Sequence, residues 1–182
     1  RVAFVVLTQG EMGTFGDAET RVREARAAAE VLGVDLRILD HPDGAVQDTL
    51  ENRHQMVSIL REVRPRLVFA PYPHARAGAL DGRANVDHLA CGMIVREATK
   101  LARFKRLMPD AQPHTVRRLL YYMLPDDVAP SYVVDVSAHR ERITAAIEAY
   151  ASQMEISRGN RRVLDLLFMM REHAGLRIHA EL

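Results

Sequence analysis

Three runs of strand length, the continuous apolar "VAFVVL" (2–7), the alternating "VDLRILD" (34–40) and the apolar "RLVFAPY" (66–72), recur with one helical segment between each pair. This alternation of strand and helix constrains the chain more than any other feature. A continuous apolar run of strand length suits a strand buried on both faces of a parallel sheet, and parallel neighbours need a long crossover, usually a helix. The first crossover, "DAETRVREARAAAEVLG", offers Asp17 as cap, Val22, Ala25, Ala29 and Leu32 at helical spacing, and Gly33 as stop. The second, "TLENRHQMVSILREVRP", is ended by Pro65. After the third run, "NVDHLACGMIVREATKLARF" reads as a helix.

The order βαβαβα implies right-handed crossovers and a doubly wound sheet. Further strands are expected at 116–124 and 131–137, a helical stretch at 138–154, and a last helix at 163–175 stopped by Gly175. The fold class is therefore α/β: a Rossmann-like three-layer fold with a mostly parallel sheet flanked by helices. With 182 residues, one core in a single domain is expected. No apolar run approaches the ~20 residues of a membrane span, so no membrane partner is expected. The 25 basic and 24 acidic residues leave a formal charge of +1, which gives nucleic acid no general attraction. The single cysteine, Cys91, excludes an internal disulfide framework and fits a reducing compartment, the cytoplasm by default.

In open α/β sheets, ligands sit at the carboxyl ends of the strands. The loops there are "TQGEMGTFGD", "DHPDGAVQD" and "PYPHARAGALDGRANVDH". In the first, Gly10, Gly13 and Gly16 permit positive φ and close approach of a ligand. Their spacing is not G-x-G-x-x-G, and no Lys-Ser/Thr follows, so a nucleotide phosphate site is the weakest reading. Glu11 supplies a carboxylate that can accept from sugar or amide groups. Arg21 and Glu24 stand three apart, either as a surface ion pair or as an Arg fork for a carboxylate or phosphate. The second loop holds His41-Pro42-Asp43, a triplet that looks like a metal site. The third ends in Asp87-His88, where the imidazole is a candidate ligand and the carboxylate a candidate orienting group. Of the other histidines, His54, His139, His173 and His179 read as surface, while His74 and His114 are minor loop candidates.

The segments "TQGEMGTFG", "ETRVREARAAAEVLGV", "HPDGAVQDTLENR", "RPRLVFAPY" and "NVDHLA", in that order, resemble the LmbE-like, or PIG-L, family of zinc-dependent N-acetylglucosamine deacetylases. "PHTVRRLLYYM", "SYVVDVS" and "AYASQM" extend the likeness to the bacterial branch that deacetylates N-acetylglucosaminyl-malate in bacillithiol biosynthesis. The resemblance implies hydrolysis of a small N-acetylglucosamine conjugate by zinc-activated water, with one Zn2+ per subunit or another divalent metal in its place. It also implies a homo-oligomer, trimer or hexamer.

The family's His-Pro-Asp-His motif falls on Asn85-Val86-Asp87-His88. His88 matches a zinc ligand, and Asp87 matches the carboxylate that supports a catalytic histidine. Asn85 stands where the family usually has that histidine. An amide can donate to an oxyanion but cannot deliver a proton near neutral pH, so the alternative is a catalytically impaired sugar-conjugate binding or regulatory homologue. Glu11, Arg21 and Asp43 match positions the family uses around the sugar and its attached group. The family's Ala-His-Pro-Asp-Asp segment, with its first strand and helix, is expected to lie ahead of Arg1, so this chain alone should bind zinc poorly. In this alignment His41 falls on a position that is commonly Leu, and the triplet is a decoy.

Overall fold

The computed structural model describes residues 1–74, 85–125, 128–179 and 182. The elements are, in chain order, β1 (Ala3–Thr8), α1 (Ala18–Leu32), β2 (Asp35–His41), α2 (Leu50–Val63), β3 (Leu67–Pro71), α3 (Val86–Leu101), β4 (Arg118–Tyr122), α4 (Arg140–Glu148), α5 (Ala151–Met154), β5 (Ser157–Arg158), β6 (Arg161–Arg162) and α6 (Val163–Gly175). This is the expected α/β pattern, with parallel strand pairs flanked by helices. Backbone contacts group it into two compact units, one of Arg1–Asp43 with Pro130–Leu182, the other of Gly44–Ala129.

In the first unit β1 and β2 pair in parallel, Ala3 opposite Asp35 and Val6 opposite Ile38. Helix α1 is their crossover. Its start is fixed by Asp17, whose Oδ1 accepts the Thr20 N–H at 2.8 Å, and its end by Gly33, which takes a left-handed φ of 68°. Ala25, Ala28 and Ala29 form its buried stripe, small enough for close packing on α4. A second apolar cluster joins Leu164, Phe168 and Leu182 with Ile143, Ile147 and Met154.

In the second unit β3 and β4 pair in parallel, Leu67 opposite Arg118 and Pro71 opposite Tyr122. Helices α2 and α3 pack together, and α3 also lies on β3, burying Val57, Ile94, Ala98 and Ala70. Gly92 makes this approach possible, because a β-carbon there would collide with the Pro71 carbonyl oxygen and lie 2.9 Å from Pro73 Cα. Arg61 is buried and closes the far end of the helix pair, its guanidinium donating to the carbonyls of Ala102, Phe104, Met108 and Ala111. Helix α2 ends on Arg64 in a left-handed conformation, consistent with the α region being closed to a residue before proline.

Several expectations need correction. The strands are not buried on both faces: Phe4 of β1 and Leu67 and Phe69 of β3 are exposed, Phe69 by 62%. Residues 131–137 form no strand. The Asp135 carboxylate takes both the N–H and the Oγ–H of Ser137, turning the chain, and Val136 donates to the Leu182 carbonyl instead of a sheet partner. The helix expected at 138–154 is broken at Tyr150, which is not helical at φ −86° and ψ 61°. Gly175 is the buried last residue of α6, and the cap is Leu176 in the right-handed region. His54 is half-buried in α2 instead of on the surface.

Candidate functional site

The first unit contributes two hydrogen-bonded groups at the carboxyl ends of its strands. In one, Asp43 ties the loop after β2 to the loop after β1: Oδ1 accepts from Thr8 Oγ1 at 3.1 Å, and Oδ2 from the Met12 N–H at 3.1 Å. The Asp43 N–H in turn donates to Glu11 Oε1 at 2.7 Å. Glu11 and Asp43, expected to face substrate, therefore also fix each other's loops, with Glu11 exposed and Asp43 half-buried. His41 closes β2 opposite Thr8.

The second group centres on Arg21. Its Nη1 donates to Glu24 Oε2 at 3.1 Å, and its guanidinium lies 5.2 Å from the centre of the Tyr150 ring, within cation–π reach. With side-chain exposures of 19% and 8%, the pair is not the surface ion pair of the plainer reading. Glu24 also accepts the Ser152 N–H at 2.7 Å and the Ser152 hydroxyl at 2.8 Å. Burial pushes its carboxyl pKa up, but these Ser152 bonds and Arg21 outweigh that and hold it below the ordinary value. Arg21 Nε is buried without a partner among the described residues, and the side chain borders a cleft of about 100 Å³ with Thr8, Gly10, Ile38 and Tyr150.

In the second unit, α3 starts on Asn85, whose Oδ1 accepts the His88 N–H at 2.9 Å. Asn85 is thus the helix N-cap, which its residue type favours. Asp87 is buried, and its two oxygens accept the N–H groups of Gly44 at 2.6 Å and Val46 at 3.0 Å. Its carboxylate orients the backbone of the loop ahead of α2, a partner other than the histidine side chain that the family pattern implies. His88 is half-buried, with Nδ1 sealed from solvent and without a hydrogen-bond partner among the described residues. Burial lowers its pKa, partly opposed by Asp87, so the imidazole is kept neutral, the form a metal needs. His88 fits zinc as a single ligand. Among the described residues no group of three His, Cys, Asp or Glu side chains converges as a metal site.

The loop histidines are otherwise engaged: His114 Nε2 lies 2.7 Å from the Pro65 carbonyl, and His74 Nε2 lies 3.4 Å from Arg96 Nη1. Residues 75–84, most of the third expected loop, lie outside the described residues. Glu24, Tyr150 and Ser152 are the participants to which sequence reasoning gave no joint role. Ser152 stands 128 positions from Glu24, and nothing local announces the pairing.

Loop-borne carboxylates with an Arg in the first unit, and a neutral helix-start histidine in the second, are groups of the class that a hydrolase of polar ligands uses on an α/β frame. The sequence pattern of the PIG-L family, GlcNAc-PI de-N-acetylase, matches residues 1–99 of the 182, and the chain belongs to that family. It is similar to the diacetylchitobiose deacetylase of Thermococcus kodakarensis, 31% identical over 166 residues, which are 84% of this chain and 59% of that protein. The chain thus spans about three fifths of this curated relative. The crystal structure of the conserved protein TT1542 from Thermus thermophilus superposes with a TM-score of 0.83 at 32% identity, covering 98% of this chain and 77% of that one. The N,N'-diacetylchitobiose deacetylase of Pyrococcus horikoshii, solved with an inhibitor, shares the fold with a TM-score of 0.84 at 24% identity, over 100% of this chain and 70% of that one.

Proposed function

We propose that the protein hydrolytically removes the N-acetyl group of a small N-acetylglucosamine conjugate, of the N-acetylglucosaminyl-malate type used in bacillithiol biosynthesis, with a zinc ion for which His88 is one ligand. The observation that carries this reading is the start of α3, where a neutral, buried His88 Nδ1 without a partner among the described residues follows the loop-anchoring Asp87. Membership of a deacetylase family and similarity to a diacetylchitobiose deacetylase support the same chemistry. When bound, zinc supplies a Lewis acid that polarises the acetyl carbonyl and makes water nucleophilic near neutral pH.

The chain's own residues then have separable tasks. His88 donates an imidazole lone pair from a position set by the Asn85 cap. Asp87 holds the Gly44–Val46 backbone. Glu11, Arg21 and Asp43 face the sugar and its attached group, and Asn85 directs an amide donor toward developing negative charge. The reading is of a cytoplasmic homo-oligomer, trimer or hexamer, acting on a small molecule. No helix among the described residues is long and apolar enough to cross a membrane.

Asn85 favours a second reading, a sugar-conjugate binding or regulatory protein with little turnover, because the residue that caps α3 cannot act as a general acid. Acetate release from N-acetylglucosaminyl-malate by the full-length protein, with bound zinc measured on the same preparation, tests the first reading. Absence of both zinc and turnover overturns it. Asn85→His separates the two: a gain on the order of 10²-fold in kcat marks proton transfer as the missing element, and no gain shows that Asn85 does not limit the rate.

A further inference from the structure

The best-defined group that the proposed chemistry leaves without a task is the clamp on Arg21. Ser152 reaches across the first unit to hold both oxygens of Glu24, at 2.7 and 2.8 Å. Glu24 holds Arg21 Nη1 at 3.1 Å, and Tyr150, two residues before Ser152, lies under the guanidinium at 5.2 Å from its ring centre. Gln153 strengthens the clamp by donating to Ser152 Oγ at 3.1 Å and to the Phe15 carbonyl at 3.0 Å, which also ties down the first glycine loop. A β-carbon at Gly16 would meet Ser152 Oγ at 2.9 Å, so the loop and the hydroxyl are fitted to each other. The guanidinium is thereby fixed at one end while its Nε stays buried and without a partner among the described residues. A β-carbon at Gly10 would lie 3.0 Å from that Nε. Gly10 thus lets the loop pack closely on the Arg21 side chain, which lines a cleft of about 100 Å³.

We infer that Ser152, acting through Glu24, is a positioning residue that sets the Arg21 guanidinium at the cleft so that it selects conjugates whose attached group carries a hydrogen-bond acceptor, a carboxylate above all. The inference rests on the proposed function for its substrate class. A guanidinium held in one orientation at the cleft penalises any ligand that covers it without offering an acceptor, and sites of this kind discriminate strongly against analogues that lack one. Rotation of Arg21 away from the cleft would remove that discrimination and leave the sugar contacts in place.

The test uses the full-length protein and compares N-acetylglucosaminyl-malate with methyl N-acetylglucosaminide, which lacks the carboxylates. Ser152→Ala should raise KM for the malate conjugate at least about tenfold and KM for the methyl glycoside less than about threefold, so that the loss falls on KM and on one substrate. Ser152→Thr, which keeps the hydroxyl and the N–H, should restore the preference. Independently of turnover, the Arg21 Nε–H resonance, assigned by its loss in Arg21→Lys, should exchange with water at least about tenfold faster in Ser152→Ala and in the isosteric Glu24→Gln. Equal losses on both substrates, no loss on either, or an unchanged Nε–H exchange overturns the inference. If the wild-type protein releases acetate from neither conjugate, the proposed function fails, and the exchange measurement alone then decides whether Ser152 positions Arg21.

Discussion

Asp87 Oδ2 sits 2.6 Å from the backbone nitrogen of Gly44, and its other oxygen sits 3.0 Å from that of Val46. One buried carboxylate therefore holds a loop 43 residues earlier in the chain. Asp87→Asn keeps a single acceptor oxygen and turns an NH2 group toward the second backbone donor. An unsatisfied buried donor costs about 1–3 kcal/mol, so thermal unfolding should show Tm lowered by roughly 2–4 °C per kcal/mol lost. An Asp87→Asn protein that melts with the wild type would contradict the anchoring role.

Gly92 separates two opposing effects. Replacing it with Ala should favour α3 by up to about 1 kcal/mol through helix propensity. The new methyl group, however, would meet the Pro71 carbonyl and the Pro73 Cα, backbone atoms that cannot rotate aside, and overpacking costs about 1–3 kcal/mol. The steric term should win. In a urea titration the midpoint should fall with an unchanged m-value.

What could be read from the sequence was what local chemistry decides. Asp17 and Gly33 bracket α1 as expected, since a cap and a left-handed stop depend only on neighbouring residues. Asn85 shows how a family pattern can draw attention from a local one: an Asn just before an apolar helical run is an N-cap signal, and the structure uses it so. Other features depend on distant partners. "SYVVDVS" alternates like a strand, yet Tyr132 and Val134 are exposed and Ser137 Oγ accepts from the Leu182 N–H at the chain end. The break at Tyr150 follows no glycine or proline, and the ring it frees lies by Arg21. Of the candidate residues, Glu11 with Asp43 and Asp87 with His88 could be placed on their loops, whereas the Glu24–Ser152 bond could not be found without the fold.

The pairing of Glu24 has a pH signature. Its folded-state pKa lies below the ordinary value of 4.5, because the Ser152 and Arg21 bonds outweigh a burial that by itself raises it. Between the folded and unfolded values the unfolded chain binds more protons, so stability rises with pH across that window. The contribution is complete above about pH 4.5 and is lost as acid reaches the folded pKa. Other carboxylates also titrate there, so Glu24→Gln is the control. The wild type should be the more stable at pH 6–7, and the difference should shrink as pH falls below 4.5 in parallel thermal melts. A constant difference would show that the charge on Glu24 contributes nothing.

Cys91 should be a poor nucleophile. Burial pushes its thiol pKa up to about 11. At pH 8 only about 0.1% of such a thiol is thiolate, roughly two hundredfold less than for a free cysteine. Titration of the folded protein with a disulfide reagent should be slower than that of free cysteine by about this factor, and denaturant should abolish the difference. Rapid reaction in the native state would place Cys91 in a more polar setting than the one it occupies.

Arg61 carries the sharpest expectation for stability. Its Nε donates to Ala102 O at 3.0 Å, Nη2 to Phe104 O at 2.7 Å, and Nη1 to Met108 O and Ala111 O at 2.8 and 3.0 Å. The carbonyls lie where α3 ends and the chain turns toward β4; those of Ala102, Phe104 and Met108 also accept the N–H groups of His114, Leu107 and Ala111, so Arg61 adds a second, charged donor to each of these three. A planar fork with five N–H groups can serve four carbonyls together, whereas an ammonium has three donors on a narrower head. Arg61→Lys should therefore lose part of the stabilisation, and Arg61→Ala should lose most of it, about 3 kcal/mol, by removing a buried side chain and its charge-assisted bonds to four carbonyls. Hydrogen exchange provides the local readout: amides of the last turn of α3 and of residues 102–111 should lose protection in Arg61→Ala before those at the start of α3. Uniform loss across the helix would mean that Arg61 supports the whole unit and not this turn.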